Sequence, residues 1–350
     1  MRREDLLGWL RQDDPTSLAE LWRDADQVRR ERVGDAVQLR GLIEVSNYCV
    51  RRCLYCGLRA SAKLTRYRMT EEEILDCARA AVRFGYGTVV LQAGEDPALD
   101  RETVSAIVRR IKAQTPLAVT LSLGERTLDE LAAWREAGAD RYLLRFETSN
   151  PELFARIHPP LGRADAPSRI EILGQLRRLG YEVGSGVMIG IPGQSFEDLA
   201  RDIELFAELD LDMIGVGPFI AHPSTPLGQS APAADDQVPA DELTTYKVLA
   251  LARLVRPDAN IPSTTALATL NLARGRELGL ERGANVVMPN LTPVRYRALY
   301  EIYPGKACIR ETADQCAGCL RRRIEAIGRT VGTGPGNAPS QARRRLEAQP

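Results

Sequence analysis

Hydrophobic and polar residues follow two alternating patterns over most of the chain, beginning near residue 39. Each short apolar run, which predicts a buried strand, is followed by a longer segment whose apolar residues recur every three or four positions, which predicts an amphipathic helix. Eight such pairs can be counted. The predicted strands are residues 39–45, 88–92, 117–123, 141–146, 182–189, 213–219, 260–265 and 285–288. The predicted helices are residues 70–84, 101–113, 127–137, 168–179, 195–208, 240–255, 267–278 and 292–300.

This alternation predicts an α/β fold. Short apolar strands separated by helices form parallel sheets, and eight repeats favour a sheet that closes into a (β/α)8 TIM barrel with its helices outside. Residues 4–32 carry two further helical patterns, interrupted near Asp14 and Pro15. We therefore predict four parts. They are an N-terminal helical extension (1–38), a barrel (39–305), a cysteine-bearing segment (306–328) and a glycine- and arginine-rich flexible tail (329–350).

Composition and charge narrow the class of protein. The 350 residues include 47 basic and 47 acidic side chains without a basic block, so nucleic acid is not an expected partner. No continuous apolar segment has the length of a signal sequence or a membrane span. With 44% apolar residues the chain can bury a large core. We expect a monomeric cytoplasmic enzyme that does not bind membranes.

Three cysteines, Cys49, Cys53 and Cys56, follow the first predicted strand in a loop. Three thiolates can hold three irons of a 4Fe–4S cluster and leave the fourth iron open as a reaction site. The alternative is a zinc knuckle, but zinc normally takes a fourth cysteine or histidine from nearby. The two histidines, His158 and His222, lie about a hundred residues or more away, so the spacing favours the iron–sulfur cluster.

A second triplet, Cys308, Cys316 and Cys319, lies near the C-terminus. Its spacing alone is compatible with zinc or with iron–sulfur binding. Because the first triplet indicates an iron–sulfur protein, we interpret the second as the site of an auxiliary 2Fe–2S or 4Fe–4S cluster. It follows the last predicted strand, so we expect it away from the chemistry of the barrel cavity. The seventh cysteine, Cys77, lies in an apolar helical pattern and is predicted to be a core residue.

The first triplet resembles the cluster motif of the radical S-adenosylmethionine (SAM) superfamily, with the aromatic Tyr55 before its last cysteine. In that superfamily the open iron chelates SAM and reduces it to an adenosyl radical. Reactive groups of barrels lie where strands end, so those positions are candidates to bind SAM. Gly94 and Glu95 resemble the Gly-Gly-Glu element that binds the SAM amino group, with Ala93 in place of the first glycine.

The other groups of SAM also need complementary partners at strand ends. Glu147 is a candidate for the ribose or the amino group, and Arg169 for the carboxylate. Met188 and Gly190, at the end of the fifth predicted strand, are candidates for the adenine. For each charged residue the alternative is a solvated charge at the rim. No lysine ends a predicted strand, which disfavours a Schiff-base aldolase.

Several longer runs are similar to HydE, the family of radical SAM maturases of FeFe hydrogenase, and the similarity covers about residues 39–328. Two related families fit less well. Biotin synthase holds its second cluster on strand cysteines, which this chain lacks, and methylornithine synthase lacks the C-terminal triplet. The similar runs are CVRRCLYCGLR (49–59), RYRM (66–69), LQAGEDP (91–97), VTLSLGE (119–125), AGADRYLLR (137–145), GPFIAHPSTPL (217–227), NIPSTTA (260–266) and GANVVMPNLTP (283–293).

The HydE resemblance implies reductive cleavage of SAM and action on a small, cysteine-bound iron carbonyl cyanide precursor of the hydrogenase diiron site. It also implies other maturases as partners, including a scaffold GTPase. Two alternatives remain open. One is a HydE-like or methylornithine synthase-like enzyme that acts on a different amino-acid-derived substrate, and the other is a non-catalytic iron–sulfur carrier. The resemblance implies substrate contacts for Ser122, Arg145, Thr264, Thr265, Tyr296 and Tyr303.

Some of these residues also have a structural interpretation. The forked donors of Arg145 suit an anionic ligand, but Glu147 lies one strand period away and could form a structural pair with it. Tyr296, Tyr300 and Tyr303 could instead form a packed aromatic set on the last helix. One departure from the family is Phe146, where HydE members carry a polar residue.

Overall fold

The computed structural model describes residues 1–161, 166–229, 236–341 and 344. In this part of the chain strands alternate with helices, as the sequence pattern predicts. The strands are β1 (Ala36–Ser46), β2 (Thr88–Ala93), β3 (Ala118–Ser122), β4 (Arg141–Leu143), β5 (Glu182–Ile189), β6 (Met213–Pro218), β7 (Val286–Val287) and β8 (Thr330–Val331). The helices are α1 (Arg3–Arg11), α2 (Pro15–Val33), α3 (Glu71–Arg83), α4 (Arg101–Gln114), α5 (Leu128–Glu136), α6 (Pro151–Ile157), α7 (Arg169–Arg178), α8 (Phe196–Glu208), α9 (Glu242–Val255), α10 (Thr265–Leu270), α11 (Gly275–Glu281), α12 (Val294–Arg297) and α13 (Ala313–Ala326).

The strands form a closed ring. Strands β6, β5, β4, β3, β2, β1 and β7 are hydrogen-bonded neighbours in that order, and every pair is parallel. Between β6 and β7 runs the segment 260–262, in which Asn260 bridges to Met213 and Pro262 bridges to Val286. Proline has no N–H to donate, so this segment makes isolated bridges and not a ladder. The predicted (β/α)8 TIM barrel is confirmed. The segment 260–262, which lies in the seventh predicted strand, fills the place between β6 and β7.

The elements of the first six repeats lie at their predicted positions, with one difference. Strand β4 ends at Leu143, whereas the sequence predicts a strand to residue 146. Beyond Leu143 the backbone leaves the regular ladder, and the Phe146 amide donates to the Ser185 hydroxyl (3.2 Å). Glu147 then adopts a φ of 65°, which is uncommon for a residue with a side chain. The chain therefore turns sharply at the rim of the barrel, at a predicted site residue.

The last two predicted helices differ more from the structure. The helix predicted over 267–278 is two helices, α10 and α11, because the Asn271 side chain accepts a hydrogen bond from the Arg274 amide (3.0 Å) and turns the chain between them. The helix predicted over 292–300 is helical only in α12. Helices α6 and α13 were not predicted. Helix α6 has 7 residues, too few for an apolar period to be evident.

The two N-terminal helices cover one side of the barrel. Helix α1 packs against α8, and α2 packs against α9, which buries Leu6 and Leu10. Cys77, on the inner side of α3, is buried in the main core, as predicted. Among the described residues, no helix is long and apolar enough to cross a membrane.

The chain after residue 329 is packed, so the prediction of a flexible tail is wrong for the described residues up to 341. Strand β8 pairs with the start of β1, and residues 335–340 then run across the N-terminal end of the barrel. The Pro335 carbonyl accepts from Thr88 Oγ1 (2.9 Å), and the Gly336 carbonyl accepts from Arg40 Nη2 (3.1 Å). Buried polar groups need such partners, and the tail supplies them through its backbone, which composition does not reveal.

A fully buried ion pair lies at this closed end of the barrel. Arg141 Nε donates to Glu182 Oε2 at 2.6 Å, and neither side chain is exposed. Arg141 Nη2 also donates to the Pro335 carbonyl (2.8 Å), and the Ala338 amide donates to Glu182 Oε1 (2.8 Å). The tail thus satisfies both charged groups and forms the floor beneath the barrel interior.

Candidate active site

A cavity of about 370 Å³ occupies the barrel interior and opens at the C-terminal ends of the strands. Gly215 and Gly217 on β6 carry no side chains, which leaves space inside the ring. Most of the predicted site residues line this one cavity. They are Cys49, Cys53, Cys56, Gly94, Glu95, Ser122, Arg145, Glu147, Arg169, Met188, Thr264, Thr265 and Tyr303.

The three cysteines after β1 lie on one side of the cavity as free thiols. Backbone hydrogen bonds fix their loop, since the Leu54 amide donates to the Ile157 carbonyl (2.8 Å) and the Val50 amide donates to the Glu95 carbonyl (3.0 Å). Burial raises the pKa of each thiol, that of Cys56 to about 12. Because metal-bound sulfurs are deprotonated, binding of a metal here would release protons.

The Gly94–Glu95 element lies directly against the cysteine loop. A side chain at Gly94 would collide with the Tyr48 carbonyl and lie 2.6 Å from Cys49 Cβ, so only glycine permits this approach. The carboxylate of Glu95 forms an ion pair with Arg51, inside the cysteine loop. The Glu95 carboxylate therefore links the end of β2 to the loop after β1 at the mouth of the cavity.

Glu125, which the sequence analysis did not single out, is the centre of a charged network at the rim. Its carboxylate pairs with Arg51 and with Arg169 Nε (2.8 Å), and Oε1 lies 3.1 Å from His158 Nε2. Burial opposes its ionisation, but the hydrogen bond with His158 and the charge of Arg169 prevail and lower the pKa of Glu125 to about 2. Its position just beyond the end of β3, in the run similar to HydE, was the available signal.

Arg169 begins α7 and is almost fully buried. Besides the bond to Glu125, its Nη1 donates to the Arg145 carbonyl at 2.7 Å and its Nη2 lies 3.0 Å from His158 Nε2. Burial lowers the pKa of His158 below its usual range, so the ring is neutral at pH 7. In this structure each nitrogen of the Arg169 guanidinium therefore already has a partner within the protein.

Arg145 and Glu147 form the ion pair that the structural alternative predicted. Arg145 Nη2 lies 3.0 Å from Glu147 Oε2. Arg145 Nη2 donates its hydrogen bond to the Val187 carbonyl (2.5 Å), so its contact with Glu147 Oε2 is an ion pair without a hydrogen bond. Arg145 Nε and Glu147 Oε2 are buried, and neither takes part in a hydrogen bond among the residues that the structure describes. Buried polar atoms normally have partners. The pair thus keeps one donor and one acceptor available to a ligand in the cavity.

Two residues that were predicted to contact SAM or the substrate lie outside the lining of the cavity. Gly190 turns away beyond β5, and a side chain there would contact Ala240. Tyr296 stacks on Tyr67 with ring centroids 4.4 Å apart, and its hydroxyl donates to Glu73 (3.0 Å). Tyr296 is therefore packed against Tyr67, and not in a set with Tyr300 and Tyr303, which line the cavity.

The cavity also contains a lysine that the sequence analysis did not place there. Lys306 precedes the second cysteine triplet, and its ammonium forms a buried ion pair with Glu44 on β1. Asn290 Nδ2 donates to the other oxygen of that carboxylate (3.0 Å), and the ammonium lies 5.2 Å from the centre of the Tyr300 ring. Lys306 lies in a loop and not at the end of a strand, so its position in the sequence did not indicate a place in the cavity.

None of the second triplet lines the cavity among the residues described. Cys316 and Cys319 lie one turn apart on α13, and Cys308 lies in the preceding loop with a φ of 62°. The Cys308 and Cys316 thiols hydrogen-bond to each other, and Arg276 Nη2 lies 3.5 Å from Cys308 Sγ. That hydrogen bond and the arginine lower the pKa of Cys308, so the site favours a thiolate.

Comparison with known proteins agrees with this geometry. A model of the radical SAM superfamily matches residues 43–206, which include the cysteine loop. The FeFe hydrogenase maturase subunit HydE of Thermotoga maritima is 49% identical to this chain over 89% of the chain and 86% of its own length. The 3-methylornithine synthase of Methanosarcina acetivorans is 27% identical over 81% of this chain and 78% of its own.

A solved structure has the same fold. The crystal structure of methylornithine synthase (PylB) has a TM-score of 0.79 with this chain at 24% identity, and the match covers 99% of this chain and 96% of the other. That likeness supports the barrel. The family follows from the 49% identity over nearly the whole chain together with the radical SAM match. The chain therefore belongs to the HydE family of radical SAM enzymes, the maturases of FeFe hydrogenase.

Proposed function

We propose that this enzyme binds a 4Fe–4S cluster through Cys49, Cys53 and Cys56, cleaves SAM reductively, and acts on a small cysteine-bound iron carbonyl cyanide unit that becomes part of the hydrogenase diiron site. One observation carries the proposal: three free cysteines and the incompletely bonded pair Arg145–Glu147 line the same cavity. When bound, the cluster would supply the electron that cleaves SAM to methionine and an adenosyl radical.

Glu95, Arg169 and Glu147, with Gly94 and Met188, are the proposed contacts of SAM. Glu95 offers a carboxylate to the cationic amino group beside the cysteine loop. Arg169 can exchange its hydrogen bond to Glu125 for one to the SAM carboxylate, because both partners are carboxylates. Glu147 Oε2 has no hydrogen-bond partner among the described residues, so it can accept from a ribose hydroxyl.

Arg145 and a set of hydroxyl groups are the proposed contacts of the iron substrate. The unsatisfied Nε of Arg145 suits an anionic cyanide or carboxylate group, because a guanidinium offers several donors in one plane. The hydroxyls of Ser122, Thr264, Thr265 and Tyr303 line the same cavity. The barrel wall and the packed tail enclose this space, which keeps water from a reactive intermediate.

We also propose that Cys308, Cys316 and Cys319 bind a second iron–sulfur cluster. The hydrogen-bonded thiols and the nearby Arg276 support this, because a cation stabilises the thiolates that a cluster needs. Family membership supports a cytoplasmic enzyme that works with other hydrogenase maturases. One of them would supply the iron substrate, and a scaffold GTPase would receive the product.

The cluster assignment is tested with anaerobically reconstituted protein. The wild type should retain iron and sulfide and produce 5′-deoxyadenosine from SAM under dithionite. A variant with Cys49→Ala, Cys53→Ala and Cys56→Ala should do neither. Cys77→Ala is the matched control, since it removes a buried thiol from α3 outside the cavity lining. Production of 5′-deoxyadenosine by the triple variant would show that the assignment is wrong.

The substrate is tested separately with the intact enzyme. A cysteine-bound iron carbonyl cyanide compound should raise 5′-deoxyadenosine production above the uncoupled rate and should itself be consumed. A panel of amino acids is the comparison. Stimulation by an amino acid alone would favour an enzyme similar to methylornithine synthase. An intact cluster without any SAM cleavage would favour an iron–sulfur carrier.

A further inference from the structure

The imidazole of His158 lies against the middle cysteine of the loop. His158 Nδ1 is 2.9 Å from Cys53 Sγ, and both side chains are buried. The contact joins residues 105 positions apart in the chain, and His158 lines the same cavity as the cysteines. A buried ring nitrogen at this distance from a sulfur is a hydrogen-bond partner of that sulfur.

Several contacts hold the ring in this orientation. His158 caps the C-terminal end of α6, and its amide donates to the Phe154 carbonyl (2.8 Å). The Phe154 ring packs on the imidazole with centroids 5.0 Å apart. At its other edge, Nε2 lies 3.1 Å from Glu125 Oε1, and Arg169 Nη2 lies 3.0 Å from Nε2 and 3.3 Å from Nδ1. Rotation of the ring away from Cys53 would therefore break contacts on both edges.

We propose that His158 is a positioning residue for Cys53, whose ligand sulfur accepts a hydrogen bond from Nδ1–H. This inference rests on the proposed role of Cys53 as a cluster ligand. A metal-bound cysteine sulfur carries no proton, so the ring must present its N–H at Nδ1. A neutral ring then has its lone pair at Nε2 and no longer donates to Glu125. Arg169, which has only donors, supplies the hydrogen bond to Nε2 instead, and Glu125 keeps its ion pairs with Arg51 and Arg169.

The three cysteines obtain their hydrogen bonds from different sources. The Cys49 sulfur accepts from the backbone amide of Arg51, and the Cys56 sulfur accepts from that of Leu58. At Cys53 the donor is a side chain, which can be removed without altering the backbone. Hydrogen bonds to cluster sulfurs raise the reduction potential, because they stabilise the more negative reduced state. His158 would therefore make the cluster easier to reduce.

Two variants of similar size separate the hydrogen bond from packing. His158→Asn keeps an N–H donor near the position of Nδ1, whereas His158→Leu has none. With reconstituted holoenzyme in the absence of SAM, we expect His158→Leu to retain iron and sulfide but to show a more negative midpoint potential and a changed electron paramagnetic resonance signal. His158→Asn should restore both toward the wild type. Cys53→Ala serves as the variant that lacks the ligand itself.

The outcomes distinguish this inference from the cluster assignment. If the wild type binds no 4Fe–4S cluster, the proposed function fails first. If the wild type binds it and His158→Leu shows an unchanged potential and signal, the cluster assignment stands and the role of His158 is refuted. Equal loss of the cluster from both variants would assign the effect to ring packing and would also refute it. Loss in His158→Leu alone would support the hydrogen bond.

Discussion

Arg145 Nη2 lies at ion-pair distance from Glu147 Oε2 (3.0 Å) but donates its hydrogen bond to the Val187 carbonyl, so Glu147 Oε2 and Arg145 Nε are buried without a hydrogen bond among the described residues. A pair with a purely structural role would be expected to satisfy those atoms. The unsatisfied Nε belongs to Arg145, which we assign to the substrate, and the unsatisfied Oε2 belongs to Glu147, which we assign to SAM. The pair would then stand between the two ligands.

Replacement of Arg145 by methionine should affect turnover of the iron substrate but not cleavage of SAM. Uncoupled SAM cleavage should remain largely intact, because Glu95 and Arg169 are unchanged. Turnover of the iron substrate should fall by roughly a hundredfold, which corresponds to about 3 kcal/mol for a hydrogen bond to a charged group. Both rates can be measured from 5′-deoxyadenosine and from loss of the iron compound. If SAM affinity fell as much as substrate turnover, Arg145 would belong to the SAM site.

Removal of the second cysteine triplet should lower iron content without abolishing SAM cleavage. The three thiols lie outside the cavity lining, so a variant with Cys308→Ala, Cys316→Ala and Cys319→Ala should still produce 5′-deoxyadenosine. Iron analysis and turnover of the folded variant are the measurements. Unchanged iron would contradict an auxiliary cluster. Complete loss of turnover would contradict its independence from the cavity.

Arg141→Met should strongly destabilise the fold. The substitution leaves the fully buried Glu182 carboxylate without its ion-pair partner, and breaking a buried pair in this way costs about 3–5 kcal/mol. Chemical denaturation of the reconstituted protein would measure the change in the free energy of unfolding. Arg3→Met is the control, because it breaks an exposed pair with Glu204 and should have a far smaller effect. Equal effects of the two substitutions would contradict this account.

Asp202 should make stability depend on pH. Burial raises its pKa from 3.8 to about 7, although the Ser149 amide donates to the carboxylate. Between about pH 4 and pH 7 the unfolded chain loses this proton while the folded protein keeps it, so the free energy of unfolding falls as pH rises. Asp202→Asn removes this contribution. Its stability relative to the wild type should therefore increase from pH 4 to pH 7 in urea denaturation, and a constant difference would refute the prediction.

The sequence by itself determined the barrel and the family. Strand β5 has its predicted bounds, and the strands and helices of the first six repeats lie where the spacing of apolar residues predicts them. These patterns are visible in sequence because each strand or helix must bury its own face. The spacing of Cys49, Cys53 and Cys56 is likewise local, since one loop carries all three. Strand-end position also identified Arg145 and Glu147 as a possible pair before their distance was known.

Only the tertiary structure decided which polar groups meet. Glu125 joins the charged network at the rim from the loop after β3, and His158 and Lys306 reach the cavity from the end of a helix and from the segment before the second triplet. Their partners Arg169, Cys53 and Glu44 lie 44, 105 and 262 residues away. The positions of the buried tail and of the segment 260–262, which bridges β6 and β7, likewise depend on contacts with strands that are distant in the chain. Burial requires each polar group to find a partner, but the chain distance to that partner is set by the closed fold and leaves no periodic signal in the sequence.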